Sequence, residues 1–176
     1  MSLPTREQAL RMMREAGCSP SVLGHCENVT RVAMRIAEAF RRRGFNVDTA
    51  LVEAGALMHD IGRSRTHGVE HGAIGGGIAR SMGLPESLAR AIERHVGAGI
   101  TADEAERIGL DGGGYVPETL EEKIVAYADK LIEGDRRVDI EVTVEKFERE
   151  LGGGHPALDR LRALHDEVVG VIGPEF

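Results

Sequence analysis

The sequence predicts an all-α protein, a single-domain helical bundle, and three observations carry that expectation. Apolar residues recur three and four positions apart along eight stretches that fill most of the chain. Gly, Pro and small capping residues stand where those stretches stop and restart. No segment alternates apolar and polar residues between hairpin turns, so strands are not expected. The 176 residues suit one domain with a real core over 1–176, and neither an internal repeat nor a long linker divides them.

Taken in order, Thr5 to Ala16 reads as a first helix with Thr5 as N-cap and Ala9, Leu10, Met12 and Met13 on its apolar side. Ser19-Pro20 restarts the chain, and a long helix runs to about Arg43 with Val22, Val29, Val32, Ala33, Ile36 and Phe40 on one face. His25, four residues before Val29, shares that buried stripe and is read either as a satisfied core histidine or as a ligand. Arg41-Arg42-Arg43 suits the negative end of the helix dipole. Gly44 stops the helix, Asp48 caps the next, and Leu51, Ala54, Gly55, Leu57 and Met58 lead to His59-Asp60 at its end. A polar loop from Arg63 to Glu70 follows.

His71 opens a helix that runs to Met82 and stops at Gly83. Its glycines each cost about 1 kcal/mol against Ala in a helix, and close packing of helix backbones is their best explanation, since no dinucleotide or Walker phosphate loop is present. Glu86 to Val96 is the next helix, with Leu88, Ala91, Ile92 and Val96 apolar and His95 at its end. The segment 101–117 joins a short helical turn, Ala102 to Ile108, to Asp111-Gly112-Gly113-Gly114, and is a candidate lid. Glu118 to about Ile132 is a strong helix with Leu120, Ile124, Tyr127, Ala128 and Leu131 placed for burial, and it carries Asp129. Terminal helices, roughly Val142 to Leu151 and Pro156 to Ile172, complete the bundle, and His155 and His165 read as surface or packing residues.

Composition narrows the function classes. Hydrophobic residues make up 41% and charged residues 29%, an ordinary soluble balance, and no apolar run is long enough to span a membrane. Met1-Ser2-Leu3-Pro4-Thr5 is no signal peptide, so a cytoplasmic location is expected. The formal charge of −7 argues against a nucleic-acid surface. Two cysteines, Cys18 and Cys26, indicate neither a disulfide framework nor a zinc ribbon and are read as small buried thiols.

A buried carboxylate beside an imidazole is costly unless each is paired, hydrogen-bonded or bound to a metal. The competing reading of His59-Asp60 is a polar step at a helix C-terminus, facing water, with Gly62 as the stop. His25, His59-Asp60, His71, His95 and Asp129 lie on or at the ends of different helices, apart from the adjacent pair, so several helix ends can converge on one centre. Such nitrogen and carboxylate donors suit Fe, Mn, Co, Ni or Zn. Arg63, Arg65, Lys130, Arg136 and Arg137 are candidates for holding phosphate, and each reads equally well as a solvated cation.

The order His, His-Asp, Asp, with the phrase His59-Asp60-Ile61-Gly62, resembles the HD-domain superfamily of metal-dependent phosphohydrolases over about residues 20–137. The resemblance implies that His25, His59, Asp60 and Asp129 hold a first metal and that His71 and His95 add a second. His71-Gly72-Ala73, the run from Ala91 to His95 and the run from Leu120 to Asp129 are similar to the subfamily that includes bacterial diadenosine tetraphosphate hydrolases, and closer still to archaeal HD proteins. The Gly-Tyr-Pro signature of cyclic-di-GMP phosphodiesterases is missing, as is a second histidine directly after His95.

What the resemblance implies is a hydrolase that cleaves a phosphoester or phosphoanhydride of a nucleotide or another small phosphorylated metabolite. Its cofactor would be one or two divalent transition-metal ions, and His59 and Asp60 would be its catalytic residues. Two ions about 3.5–4 Å apart, with Asp60 bridging, would hold a hydroxide as nucleophile at neutral pH. Three other readings stay open: a non-catalytic module that senses a nucleotide or metal, a diiron oxygenase-type HD protein, and a purely structural bundle. The expected partner is thus a small phosphorylated substrate, with no nucleic acid and no membrane, and homo-oligomer formation is left open.

Overall fold

Capping chemistry sets where most of the helices begin. In α1 (Arg6–Ala16) the Thr5 hydroxyl accepts from the Gln8 N–H while the Gln8 side chain accepts from the Thr5 N–H, a reciprocal capping box. Ser19 caps α2 (Pro20–Arg42) and Asp48 caps α3 (Thr49–Met58). The computed structural model describes residues 2–174, so Met1, Glu175 and Phe176 of the expected domain, and the first residue of the N-terminal leader reading, lie outside the described residues. Beyond α3 come a 3-10 turn (Ile61–Ser64), α4 (His71–Ser81), α5 (Glu86–Glu93) and α6 (Ala102–Arg107). Then follow α7 (Leu120–Lys130), α8 (Ile140–Leu151) and α9 (Pro156–Ile172). Thr101 and Thr119 open α6 and α7 with further capping boxes, through Glu104 and Glu122.

Two local features depart from the sequence reading. A two-residue antiparallel pairing joins β1 (Ile132–Glu133) to β2 (Arg136–Arg137) around Gly134-Asp135. Gly134, at φ +62, supplies the left-handed backbone that a two-residue hairpin loop needs, and strands this short leave no periodicity to read. The helix expected to reach Val96 ends at Glu93, with Arg94 as its C-cap. Arg94 is held instead by Glu118 at 2.9 Å and Glu122 at 3.1 Å, which ties the end of α5 to the start of α7. His95 is thereby left just past the helix, free of its hydrogen-bond ladder.

Two apolar clusters meet around α2 and α3. One packs Val29, Ala33, Ile36 and Phe40 of α2 against Ile124, Val125 and Ala128 of α7 and Leu158, Leu161 and Val168 of α9. The other packs Met13 of α1 and Cys26 of α2 against Leu57, Met58, Ile61, Leu88 and Ile92. His59 and Asp60 fall between Met58 and Ile61, so they are carried into the interior by apolar neighbours on both sides in sequence.

Three of the four glycines of α4, Gly72, Gly75 and Gly76, face its neighbours, as their cost suggested. A Cβ on Gly72 would lie 2.6 Å from Val96 Cγ2, and one on Gly75 would lie 2.8 Å from Ile92 Cγ2. The tightest approach is at Gly62, where a Cβ would sit 1.9 Å from the His71 carbonyl oxygen. Gly62 therefore lets the N-terminus of α4 rest on the 3-10 turn, which brings His71 to Asp60. Gly77, on the outer side of α4, has nothing within 4 Å of its Cβ position. Gly62→Ala is expected to lower stability by about 3 kcal/mol or more through overpacking against rigid backbone, and Gly77→Ala to raise it by about 0.5–1 kcal/mol through helix propensity. Thermal and urea melts of the two variants check both signs.

Candidate metal centre

Local backbone geometry aims three of the imidazoles. The Nδ1 atoms of His59, His71 and His95 lie 2.8, 2.7 and 2.6 Å from the carbonyl oxygens of Ala56, Gly68 and Ile92, each three residues earlier in the chain. A carbonyl only accepts, so Nδ1 carries the proton and donates it, and in the neutral ring Nε2 is left as a lone pair. All three Nε2 atoms point toward Asp60. His71 Nε2 is 3.2 Å and His95 Nε2 3.5 Å from Asp60 Oδ1, whereas His59 Nε2 is 3.7 Å and His25 Nε2 3.9 Å from Asp60 Oδ2. Asp129 Oδ1 completes the second group, 2.9 Å from His25 Nε2 and 3.5 Å from His59 Nε2. Asp60 thus stands between two donor sets, His25–His59–Asp129 and His71–His95, with one oxygen turned to each.

Three features of this arrangement fit a resident cation. His59 Nε2 and Asp60 Oδ1 are buried without a hydrogen-bond partner, a costly state for an imidazole nitrogen and a carboxylate oxygen. His71 Nε2 and His95 Nε2 face each other at 3.0 Å, although both rings already spend their Nδ1 proton on backbone. The donor chemistry, imidazole nitrogen and carboxylate oxygen together, is that of divalent transition-metal sites. Cys26, wholly buried, also lies close to His59 and Asp60, on the side of the apolar core.

Electrostatics agree with that charge requirement. Burial opposes ionisation of Asp60, but His59, His71 and His95 outweigh it and hold the carboxyl well below the usual carboxylate range. Burial likewise opposes ionisation of Asp129, and Lys130, His25 and His59 overcome it. Burial also works against charge on His59, yet Cys26, Asp60 and Asp129 around it raise its pKa well above the ordinary histidine value. For His95 burial wins and pushes the value down to about 4, so that ring is neutral and available as a donor at neutral pH.

Of the cations proposed to hold phosphate, two lie at the centre. Arg63 Nε is 2.8 Å from Asp60 Oδ2, and Lys130, nearly buried, pairs through Nζ with Asp129 Oδ2. Both line a cavity of about 840 Å³ that opens from His25, His71, His95 and Asp129. Arg65 is exposed on the turn after Arg63, and Arg136 and Arg137 are exposed on β2; none of the three lines that cavity. The outer wall comes from residues the motif did not flag: Ile100, Glu104 and Ile108 from the 101–117 region and its flank, Phe147 and Leu151 of α8, and Arg160 of α9. The candidate lid is closed into a loop by paired backbone bonds between Ile100 and Tyr115 and strapped to α9, with Arg160 reaching Glu104 at 2.6 Å and the Gly99 carbonyl at 3.2 Å.

Fold and site together define an all-α protein with a buried histidine–aspartate centre suited to divalent ions. The chain belongs to the HD domain family, whose sequence profile matches residues 22–134. An uncharacterized protein of Methanocaldococcus jannaschii is 49% identical over 166 residues, covering 94% of this chain and 98% of that one. A tRNA (cytidine(56)-2′-O)-methyltransferase of Picrophilus torridus is 38% identical over 99% of this chain, which spans only 49% of the methyltransferase's length. Ribonuclease Y of Acidothermus cellulolyticus is 32% identical over 68% of this chain and 22% of its own. Among solved structures, the HD domain of the Listeria monocytogenes phosphodiesterase PgpH in complex with cyclic-di-AMP superposes with a TM-score of 0.55 at 16% identity, covering 96% of this chain and 98% of that one, a likeness of fold.

Two outcomes are expected. Elemental analysis should find that His71→Ala and His95→Ala lower the metal bound per chain without unfolding it, whereas Asp60→Ala, which faces both donor sets, removes most of it. In the metal-free protein, the native His95 value near 4 lies below its ordinary 6.5. The unfolded chain then binds the extra proton between those values, so this contribution is full above pH 6.5 and is lost as the pH falls toward 4. Urea unfolding at pH 6.5 and 4.5 should show the wild type losing about 2 kcal/mol more than His95→Gln over that interval.

Proposed function

We propose that this protein is a metal-dependent hydrolase that cleaves a phosphoester or phosphoanhydride in a nucleotide or another small phosphorylated metabolite. The observation that carries the reading is Asp60, addressed by imidazoles on both oxygens and bordering a cavity of about 610 Å³, with its own Oδ1 and His59 Nε2 lacking partners. His25, His59, Asp60 and Asp129 would hold one divalent ion and His71 and His95 would serve a second; such ions would supply an activated water near neutral pH and offset charge on the phosphoryl oxygens.

The side chains do the positioning. The three backbone-anchored imidazoles present Nε2 lone pairs in fixed directions and lose little freedom on engaging a ligand. Arg63 pairs with Asp60 through Nε and presents its guanidinium on the cavity wall, where it can meet a phosphate oxygen. Lys130 does the same with Asp129 through Nζ. The lining of the cavity of about 840 Å³ contains no serine or cysteine, and Cys26, the thiol beside His59, faces the apolar core, which supports water as the attacking group.

The names Ribonuclease Y and phosphodiesterase PgpH support phosphoester cleavage as the class of reaction. The methyltransferase name attaches to proteins about twice the length of this chain, which spans 49% of them. The test is a panel of nucleoside mono-, poly- and cyclic phosphates offered to metal-loaded protein. Wild type should turn over at least one of them, and His59→Ala and Asp60→Ala should each lose metal and at least about 100-fold in kcat/KM. Binding without turnover by fully loaded protein would instead make the chain a sensing module.

A further inference from the structure

The segment that walls the outer side of the larger cavity is a piece of its own. Ile100 and Tyr115 exchange backbone hydrogen bonds at 3.2 and 2.7 Å, which clasps the chain between them into a loop. A Cβ on Gly99 would sit 2.7 Å from the Val116 Cα, so the two stems of the loop run tightly side by side. Ile100, Ala105 and Tyr115 form an apolar cluster separate from the two main ones, and it rests on Ala73 and Val96. Within the loop α6 buries a single residue, Ala105. So small an apolar footing lets the loop leave its place without opening either main core.

One nitrogen fastens it. Arg160 Nη2 on α9 donates to Glu104 Oε1 at 2.9 Å, to Glu104 Oε2 at 2.6 Å and to the Gly99 carbonyl at 3.2 Å, gripping both α6 and the stem. Glu104 Oε2 also accepts from the Thr101 N–H at 2.8 Å, so the grip is delivered to the first turn of α6.

Arg80 shows what a firmer clamp looks like. Its Nε and Nη2 meet the two oxygens of Glu86 at 2.9 and 2.6 Å, and its Nη1 and Nη2 meet those of Glu93 at 2.6 and 3.0 Å. Parallel N–H pairs of this kind are the strong, geometrically fixed form of the interaction. Arg160 forgoes that form and keeps its Nε buried without a partner. An unmet buried donor disfavours the closed arrangement, and opening to water relieves it. The strap is therefore releasable.

Its place makes release matter. The loop gives Ile100, Glu104, Arg107 and Ile108 to the cavity lining, and Arg160 joins them from α9. Gly97, at φ +62, stands just outside the clasp, where the missing Cβ leaves the backbone free to pivot. We infer that residues 100–115 are a lid on the cavity, latched by Arg160 on Glu104 and Gly99, and that releasing the latch lifts the lid as one clasped piece and admits a ligand. The latch governs access whatever reaction the centre performs.

The test follows lid opening in the whole chain by amide hydrogen exchange, in wild type, Arg160→Met and Glu104→Gln. Methionine removes the cation and keeps an apolar stem; glutamine removes the charge of Glu104 and keeps an acceptor for the Thr101 N–H, so α6 stays capped. Exchange over residues 101–110 should quicken about tenfold in Arg160→Met and by a smaller factor in Glu104→Gln, with α3 and α7 unchanged. Access is read on Val96→Cys, which puts a thiol on the cavity lining beneath the lid in a chain whose own two cysteines are buried. Its reaction with Ellman's reagent should quicken by the same factor when Arg160→Met is added. Unchanged exchange over 101–110, or equal quickening in α3 and α7, would overturn the latch. Quickened exchange with unchanged labelling would leave a loose loop that gates nothing, and would overturn the lid.

Discussion

The structure depends on the burial of one carboxylate, that of Asp60, among imidazoles that cannot donate to it from their neutral form. His59, His71 and His95 each spend a proton on a backbone carbonyl three residues back, so in their neutral form what they offer Asp60 is lone pairs against lone pairs. That contact is repulsive unless positive charge enters the cluster, and a buried carboxylate without compensation costs several kcal/mol or more. The elements around it are arranged so that this unfavourable contact is kept. Gly62 omits a side chain where the His71 carbonyl must sit, and Arg94 pins the end of α5 to Glu118 and Glu122 so that His95 arrives in place. Apolar packing of Leu57, Met58, Ile61 and Ile92 supplies the stability that the polar centre consumes.

Much of this was legible in the sequence for a specific reason. Helical periodicity and capping residues are local: Thr5 and Asp48 cap the helices expected of them, and α2 begins where Ser19-Pro20 restarts the chain. The six candidate donors could be named because His and Asp on apolar faces have few bland explanations, and the structure does bring all six into one cluster. Gly72, Gly75 and Gly76 of α4 read correctly as packing sites because their cost in a helix demands a steric reason, whereas Gly77 faces open space.

What could not be read depends on contacts between distant segments. The sequence near Arg65, Arg136 and Arg137 looks as basic as that near Arg63 and Lys130, yet only the latter two reach the cavity, because the 3-10 turn and the hairpin decide which way each points. Phe147, Leu151 and Arg160 carry no motif; they matter because α8 and α9 fold back over the cleft. The hairpin at β1 and β2 and the early end of α5 escaped for the same reason, one being four residues of pairing and the other an ion pair across 28 positions.

Charge balance ties the centre to its cleft. Two carboxylates, Asp60 and Asp129, are matched by two side-chain cations, Arg63 and Lys130, so once the imidazoles are in the neutral form that metal ligation requires, the cluster's own charges sum close to zero. A divalent ion added to it leaves surplus positive charge in a site shielded from water, where electrostatic interactions are strong. Further out the acids Glu104 and Glu133 have already claimed Arg160 and Lys146, so the surplus is concentrated at the centre itself and does not extend along the walls.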